Sequence, residues 1–152
     1  IGGRDARLLQ EAIAAAERGV DVQILLSSAW YARKDNRQLV AELRSVAGRD
    51  ELPLSLKLAD PGGRYEKIHA KGVIIDGDTV VLGSLNWNDN AYENNREVAL
   101  VLHGQDVGSY FGEVFERDWR GGITLVPAGS LAALLITSMP TILLARRIEF
   151  NE

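Results

Sequence analysis

Apolar positions recur at helical spacing near the start of the chain. Leu8, Leu9, Ala12, Ile13 and Ala16 line one face of a helix over residues 5–18, with Asp5 able to cap it and Gly19 placed to stop it. Val20, Val22 and Ile24 then alternate, which predicts a buried strand from Val20 to Leu26. A polar loop carrying Trp30 and Tyr31 follows. A second helix is expected from about Asn36 to Ala47, with Leu39, Val40, Leu43 and Val46 on one stripe and Gly48 after it. Leu54, Leu56 and Leu58 alternate as another strand, and Asp60-Pro61-Gly62-Gly63 marks a loop.

Beyond that loop the period changes to two. Lys67–Asp76 and Thr79–Ser84 read as a strand pair joined by a Gly77-Asp78 turn. Asn95–Leu102 reads as a further strand. Asp106–Trp119 reads as a helix with Val107, Tyr110, Phe111, Val114, Phe115 and Trp119 on its apolar face. Helices and strands alternate, then strands run together. The expected fold class is α/β, with a mixed β-sheet flanked by helices.

The last stretch breaks the pattern. Ile123 to Ala145 contains no charged residue, and Arg146 and Arg147 follow directly. A bilayer core takes roughly 20 apolar residues. The expected organisation is a catalytic half domain over 1–122, a transmembrane segment over 123–145 and a short tail over 146–152. Arginines at its end place that flank in the cytoplasm and the catalytic domain outside it. Thr124, Ser130, Thr137, Ser138, Thr141, Pro127 and Pro140 dilute the run, and the competing reading is buried structure of the same domain.

Composition adds limits. The chain has 152 residues, 46% hydrophobic and 25% charged, which suits one domain with a real core. Its net charge of −4 argues against a broad polyanion-binding surface, though not against a local basic patch. With no Cys, disulfides, thiol catalysis and thiolate metal sites are excluded. The first residue is Ile1 rather than Met, and no signal peptide is visible, so a piece of a longer protein is expected.

The chemistry concentrates between His69 and Asn86. His69 and Lys71 are two apart on an expected strand and so share a face. A Gly77-Asp78 turn would set Asp76 opposite Thr79, His69 opposite Asn86 and Lys71 opposite Ser84. An imidazole beside an ammonium and two neutral donors suits a phosphoryl group. The donors hold non-bridging oxygens, and the imidazole attacks phosphorus to give a phosphoramidate. Lys71 should depress the pKa of His69 and keep it nucleophilic. A carboxylate is needed to hold the ring, and Glu97 fits that role.

Read in order, the segment is His69-x-Lys71, four residues, Asp76, six residues, then Gly83-Ser84-x-Asn86. This matches the H-x-K-x4-D-x6-G-S-x-N pattern and resembles the phospholipase D, or HKD, superfamily of phosphodiesterases. Glu17-Arg18-Gly19-Val20 before a strand, Asn95-Arg96-Glu97 after the motif, and Phe115 with Trp119 extend the resemblance over roughly Arg4 to Arg120. The resemblance implies that His69 is nucleophile or general acid, that Lys71 and Asn86 bind phosphate, and that Ser84 assists. It implies that Glu97 orients His69, while Asp76 is structural and Gly83 belongs to the structural frame of the motif. It implies no metal and no cofactor. The family pairs two such motifs, whereas this chain holds one; His103, the other histidine, lies in no such context. A second half-site is therefore expected from a homodimer partner or from another part of the parent chain.

The expected activity is hydrolysis or transfer of phosphodiesters, with phospholipid favoured over nucleic acid by the apolar tail and membrane association expected with it. A nuclease, a cardiolipin synthase-like phosphatidyl transferase, and a non-catalytic phosphate-binding or dimerisation module are the alternatives. Trp87 and Tyr92 either line the cleft or pack. Arg64, Tyr65 and Lys67 form a basic, aromatic loop able to meet a head group or a nucleic-acid backbone.

Overall fold

The computed structural model describes residues 6–63 and 65–121. The element order is α1 (Arg7–Glu17), β1 (Val22–Leu26), α2 (Arg33–Arg49), β2 (Leu54–Leu58), β3 (Gly72–Ile75), β4 (Thr79–Gly83), α3 (Asp89–Asn94), β5 (Ala99–His103) and α4 (Gln105–Gly121). All the long elements expected from periodicity are present, with ends shifted by a few residues. The short α3 was not expected. The Asn88 side chain accepts from the Ala91 N–H at 2.8 Å and starts that helix after the motif.

The first half is a helix-connected parallel strand pair. β1 and β2 pair in parallel with Val22 opposite Leu54, Ile24 opposite Leu56 and Leu26 opposite Leu58. These alternate positions share one face, and α1 and α2 cover it. Leu9, Leu39, Val40, Leu43, Leu56 and Leu58 lie at the centre of this core. Removing such side chains from water is the main stabilising term here. The opposite face carries Lys57, whose ammonium donates to the Trp119 carbonyl at 3.1 Å and lies 4.7 Å from the Trp119 ring centroid. The end of α4 therefore covers that side.

The second half is an antiparallel sheet in the order β3-β4-β5. The single mixed sheet expected from sequence is instead two hydrogen-bonded sheets among the described residues. The long connection from β2 to β3 spends the backbone's reach on loop, and α4 spans both sheets in place of a ladder. At its other end α4 touches the β3–β4 turn through Gly108. A Cβ built there would meet the Gly77 carbonyl oxygen at 1.8 Å, so only glycine allows the helix this close.

The hairpin register also differs. Ile75 pairs with Thr79 and Gly72 with Leu82, one residue away from the expected pairing. Asp76 and Gly77 take the two left-handed positions, at φ 52° and 71°, and the Asp78 N–H donates to the Ile75 carbonyl at 3.2 Å. Asp-Gly is the favoured pair for such a turn, which centres it on 76–77 rather than 77–78. Asp78 is left as an extra residue before the ladder resumes.

Among the described residues no helix is long and apolar enough to cross a membrane. The expected transmembrane segment over 123–145 and the tail over 146–152 lie outside the described residues, as does the Asp5 cap.

Candidate active site

His69 and Lys71 sit in the extended run that leads into β3, before its first ladder residue Gly72. The Gly83 N–H donates to the Lys71 carbonyl at 3.3 Å, so the register places Lys71 across from Gly83 rather than Ser84. The spacing of two still brings their side chains together. The Lys71 ammonium stands 2.9 Å from both His69 Nδ1 and Nε2, and it donates to the His69 carbonyl at 3.0 Å. A neutral imidazole has a single acceptor nitrogen, so the ammonium can donate to only one of the two, and its positive charge disfavours a second proton on the ring. The charge of Lys71 accordingly lowers the pKa of His69, with smaller contributions from burial and from Lys67. Lys71 is itself lowered, chiefly by burial and partly by Lys67, against the attraction of Glu97.

The second group is built on Glu97, which lies between α3 and β5. Ser84 Oγ donates to Glu97 Oε2, and Asn95 Nδ2 donates to Oε1 at 2.9 Å. These two bonds, Ser84 first, hold the Glu97 carboxyl below its ordinary pKa, and Lys71 adds to the effect. The Val98 N–H in turn donates to Ser84 Oγ at 3.2 Å. Glu97 thus engages Ser84 and Asn95, and among the described residues no hydrogen bond joins it to the His69 ring. Asn95 was named in sequence only as part of the Asn95-Arg96-Glu97 run, and its bond to Glu97 was not expected.

Gly83 allows this assembly. A Cβ there would stand 2.1 Å from the Val98 carbonyl oxygen, so the β4–β5 approach that sets Ser84 against Glu97 requires its absence. Asn86 is exposed two residues beyond Ser84, and its carbonyl accepts from the Asn88 N–H at 2.8 Å. Asp76 occupies the turn at the far end of the hairpin, away from this cluster. His103 ends β5 and bonds through Nδ1 to Thr79 Oγ1 at 3.1 Å, likewise remote. Tyr92 lies beneath Arg7, whose guanidinium carbon is 5.2 Å from its ring centroid.

The site is open. His69, Ser84 and Asn86 are exposed, and Lys71 and Glu97 are half-buried. Among the described residues no three His, Asp or Glu side chains gather as a metal-holding cluster. Arg64 lies outside the described residues. The arrangement offers an imidazole, an adjacent cation and a fixed carboxylate around a solvent-accessible space, groups whose chemistry suits a phosphoryl group.

The chain is similar to known proteins over most of its length. Residues 4–119 match the family model described as "Cardiolipin synthase, PLD-like domain". The mitochondrial cardiolipin hydrolase of Homo sapiens is 29% identical over 118 residues, covering 78% of this chain and 40% of that protein. Cardiolipin synthase A of Cronobacter sakazakii is 30% identical over 107 residues, covering 70% of this chain and 21% of that protein. The chain therefore spans less than half the length of these relatives. Among solved structures, the phospholipase D family member Nuc from Salmonella typhimurium superposes with a TM-score of 0.61 at 26% identity, covering 81% of this chain and 74% of that one.

Proposed function

This chain belongs to the phospholipase D-like domain family, and on that premise we propose that it is one half-site of a phospholipid phosphodiesterase working through a covalent phosphohistidine. The observation that carries the reading is the Lys71 ammonium held 2.9 Å from both ring nitrogens of His69. The positive charge so close to the ring disfavours a proton on it, and the unprotonated imidazole is the form with a lone pair to give. In the first step a His69 ring nitrogen donates its lone pair to phosphorus, an N–P bond forms, and the bond from phosphorus to the leaving oxygen breaks. The imidazole of a second half-site gives the departing oxygen its proton. Water then attacks phosphorus, the N–P bond breaks, and the proton of water passes to the second imidazole. Lys71 and Asn86 hold the non-bridging oxygens. The Ser84–Glu97–Asn95 group supplies a fixed negative charge beside Lys71.

The second half-site comes from a homodimer partner or from another part of the parent protein. Exposed apolar side chains are available for such pairing: Val98 and Leu100, two apart along the run into β5, are 67% and 55% exposed. The matches to a cardiolipin hydrolase and a cardiolipin synthase favour phospholipid as substrate and leave hydrolysis and transfer to be separated by product analysis. The uncharged run 123–145 supports a membrane anchor with the catalytic half outside the cytoplasm; protection of that half from added protease in sealed cells would refute this placement.

The test is turnover of a small soluble phosphodiester in chelator by the complete, two-motif assembly, wild type against His69→Asn. Loss of turnover with folding retained supports the mechanism. An inactive wild-type assembly refutes it and leaves a phosphate-binding module. Phospholipid vesicles and single-stranded DNA assayed side by side then decide the substrate.

A further inference from the structure

One exposed feature beside the site is not used by the chemistry above. The turn after β1 displays Trp30 at 86% exposure and Tyr31 at 49%. Their rings meet edge to face with centroids 5.5 Å apart. Lys67, two residues before His69, places its ammonium 5.5 Å from the Tyr31 ring centroid. The same Lys67 charge acts on both His69 and Lys71. The aromatic pair and the reactive imidazole are thus joined through one cation at the carboxyl ends of β1 and β2, where open α/β sheets bind ligands.

The turn is held rather than loose. Asn36, 4% exposed at the start of α2, donates from Nδ2 to the Ser27 carbonyl at 2.7 Å. Ser28 Oγ donates to the Ala59 carbonyl, and the Ala29 N–H donates to Ser27 Oγ at 3.2 Å. The Ala32 and Arg33 N–H groups both return to the Ala29 carbonyl, at 2.9 and 2.8 Å. A fixed turn that keeps an indole in water loses hydrophobic stabilisation that burial would supply, unless something else covers the ring.

We propose that Trp30, Tyr31 and Lys67 form an interfacial rim that seats the catalytic mouth on the head-group layer of a phospholipid bilayer. Trp and Tyr are the side chains that settle at the membrane–water boundary, with an apolar body and a polar edge. Lys67 and Lys71 complement anionic phosphate at the same place, while the chain as a whole is acidic at −4 and ill-suited to track a polyanion. Base stacking is the competing use of such rings. One face of Tyr31 already carries Lys67 and its partner ring is set edge-on, which removes the parallel platform that successive bases need. The proposal rests on the phospholipid reading of the site, and its test is separable from it.

The test uses the full chain with Trp87→Phe and Trp119→Phe, so that Trp30 alone emits. Because the uncharged run 123–145 can itself engage lipid, the readout is the environment of Trp30 rather than binding. Vesicles of phosphatidylcholine, with and without an anionic phospholipid, should shift Trp30 emission to the blue, and brominated acyl chains should quench it. Lys67→Ala should weaken the preference for the anionic vesicles. In the catalytic assembly, Trp30→Ser should lower vesicle turnover relative to soluble-diester turnover by about tenfold, the scale expected from losing part of an indole's buried area. Glu17→Gln, exposed at the end of α1 near the amino end of β1 and so at the opposite end of that strand from the rim, should leave that ratio unchanged. An unshifted Trp30 on vesicles that carry the protein, or quenching by a single-stranded oligonucleotide instead, overturns the rim. Vesicles left unhydrolysed by wild type while Trp30 still shifts overturn the substrate reading alone.

Discussion

Two glycines on one helix should respond to the same substitution with opposite signs. In Gly108→Ala the new Cβ would stand 1.8 Å from the Gly77 carbonyl oxygen and 2.7 Å from the Asp78 nitrogen. Real Cβ atoms keep at least 3.0 Å, so α4 or the hairpin turn must retreat by more than an ångström. Both neighbours are backbone, which cannot swing aside as a side chain would. The helix gains about 1 kcal/mol from Gly→Ala propensity. Overpacking costs about 1–3 kcal/mol, and a clash with backbone belongs at or beyond the upper end. The net expectation is a loss of about 2 kcal/mol. Gly112, one helical turn on, has nothing within 4 Å of its built Cβ, so Gly112→Ala should stabilise by about 0.5–1 kcal/mol. Urea denaturation reads both as shifts of the midpoint at an unchanged m-value. Equal midpoints for the two variants would refute the close packing of α4 on the β3–β4 turn. The stakes reach the site, since this contact seats the hairpin that carries the motif.

Further outcomes follow from the same geometry. Lys71→Met removes the largest cause of the lowered His69 pKa, so the ring's NMR titration should move to higher pH, and the acidic limb of the rate profile should move with it; an unmoved titration would show that the 2.9 Å contact does not exist in solution. Ser84→Ala removes the first cause of the depressed Glu97 pKa, and the carboxyl 13C titration should rise toward the ordinary glutamate value; no change would mean that Ser84 is not its donor. Leu43→Ala, at a fully buried position of the first core, should cost about 2–5 kcal/mol in calorimetry or urea, and a loss below about 1 kcal/mol would contradict that packing.

Much was legible before any coordinates. Apolar spacing located both long helices of the first half, and α4, because helical burial stamps a period of 3.6 on the chain. The spacing from His69 to Asn86 identified the family because it records a hairpin with chemistry at fixed offsets. Local turn chemistry was also present but read one residue late: Asp76-Gly77, not Gly77-Asp78, is the pair suited to consecutive left-handed conformations. That shift moved Lys71 from Ser84 to Gly83 across the ladder.

What sequence determined by itself was therefore the longer elements, the nearness of His69 to Lys71, and the family. These depend on residues close in the chain, where backbone geometry limits the choices. Only tertiary structure decided which carboxylate partner Ser84 takes, that two sheets stand where one was expected, and that Lys67 lies over Tyr31 while Trp30 is held outward. Those outcomes depend on distances between segments tens of residues apart. Such distances are set by competition among many packings, and no local pattern encodes them.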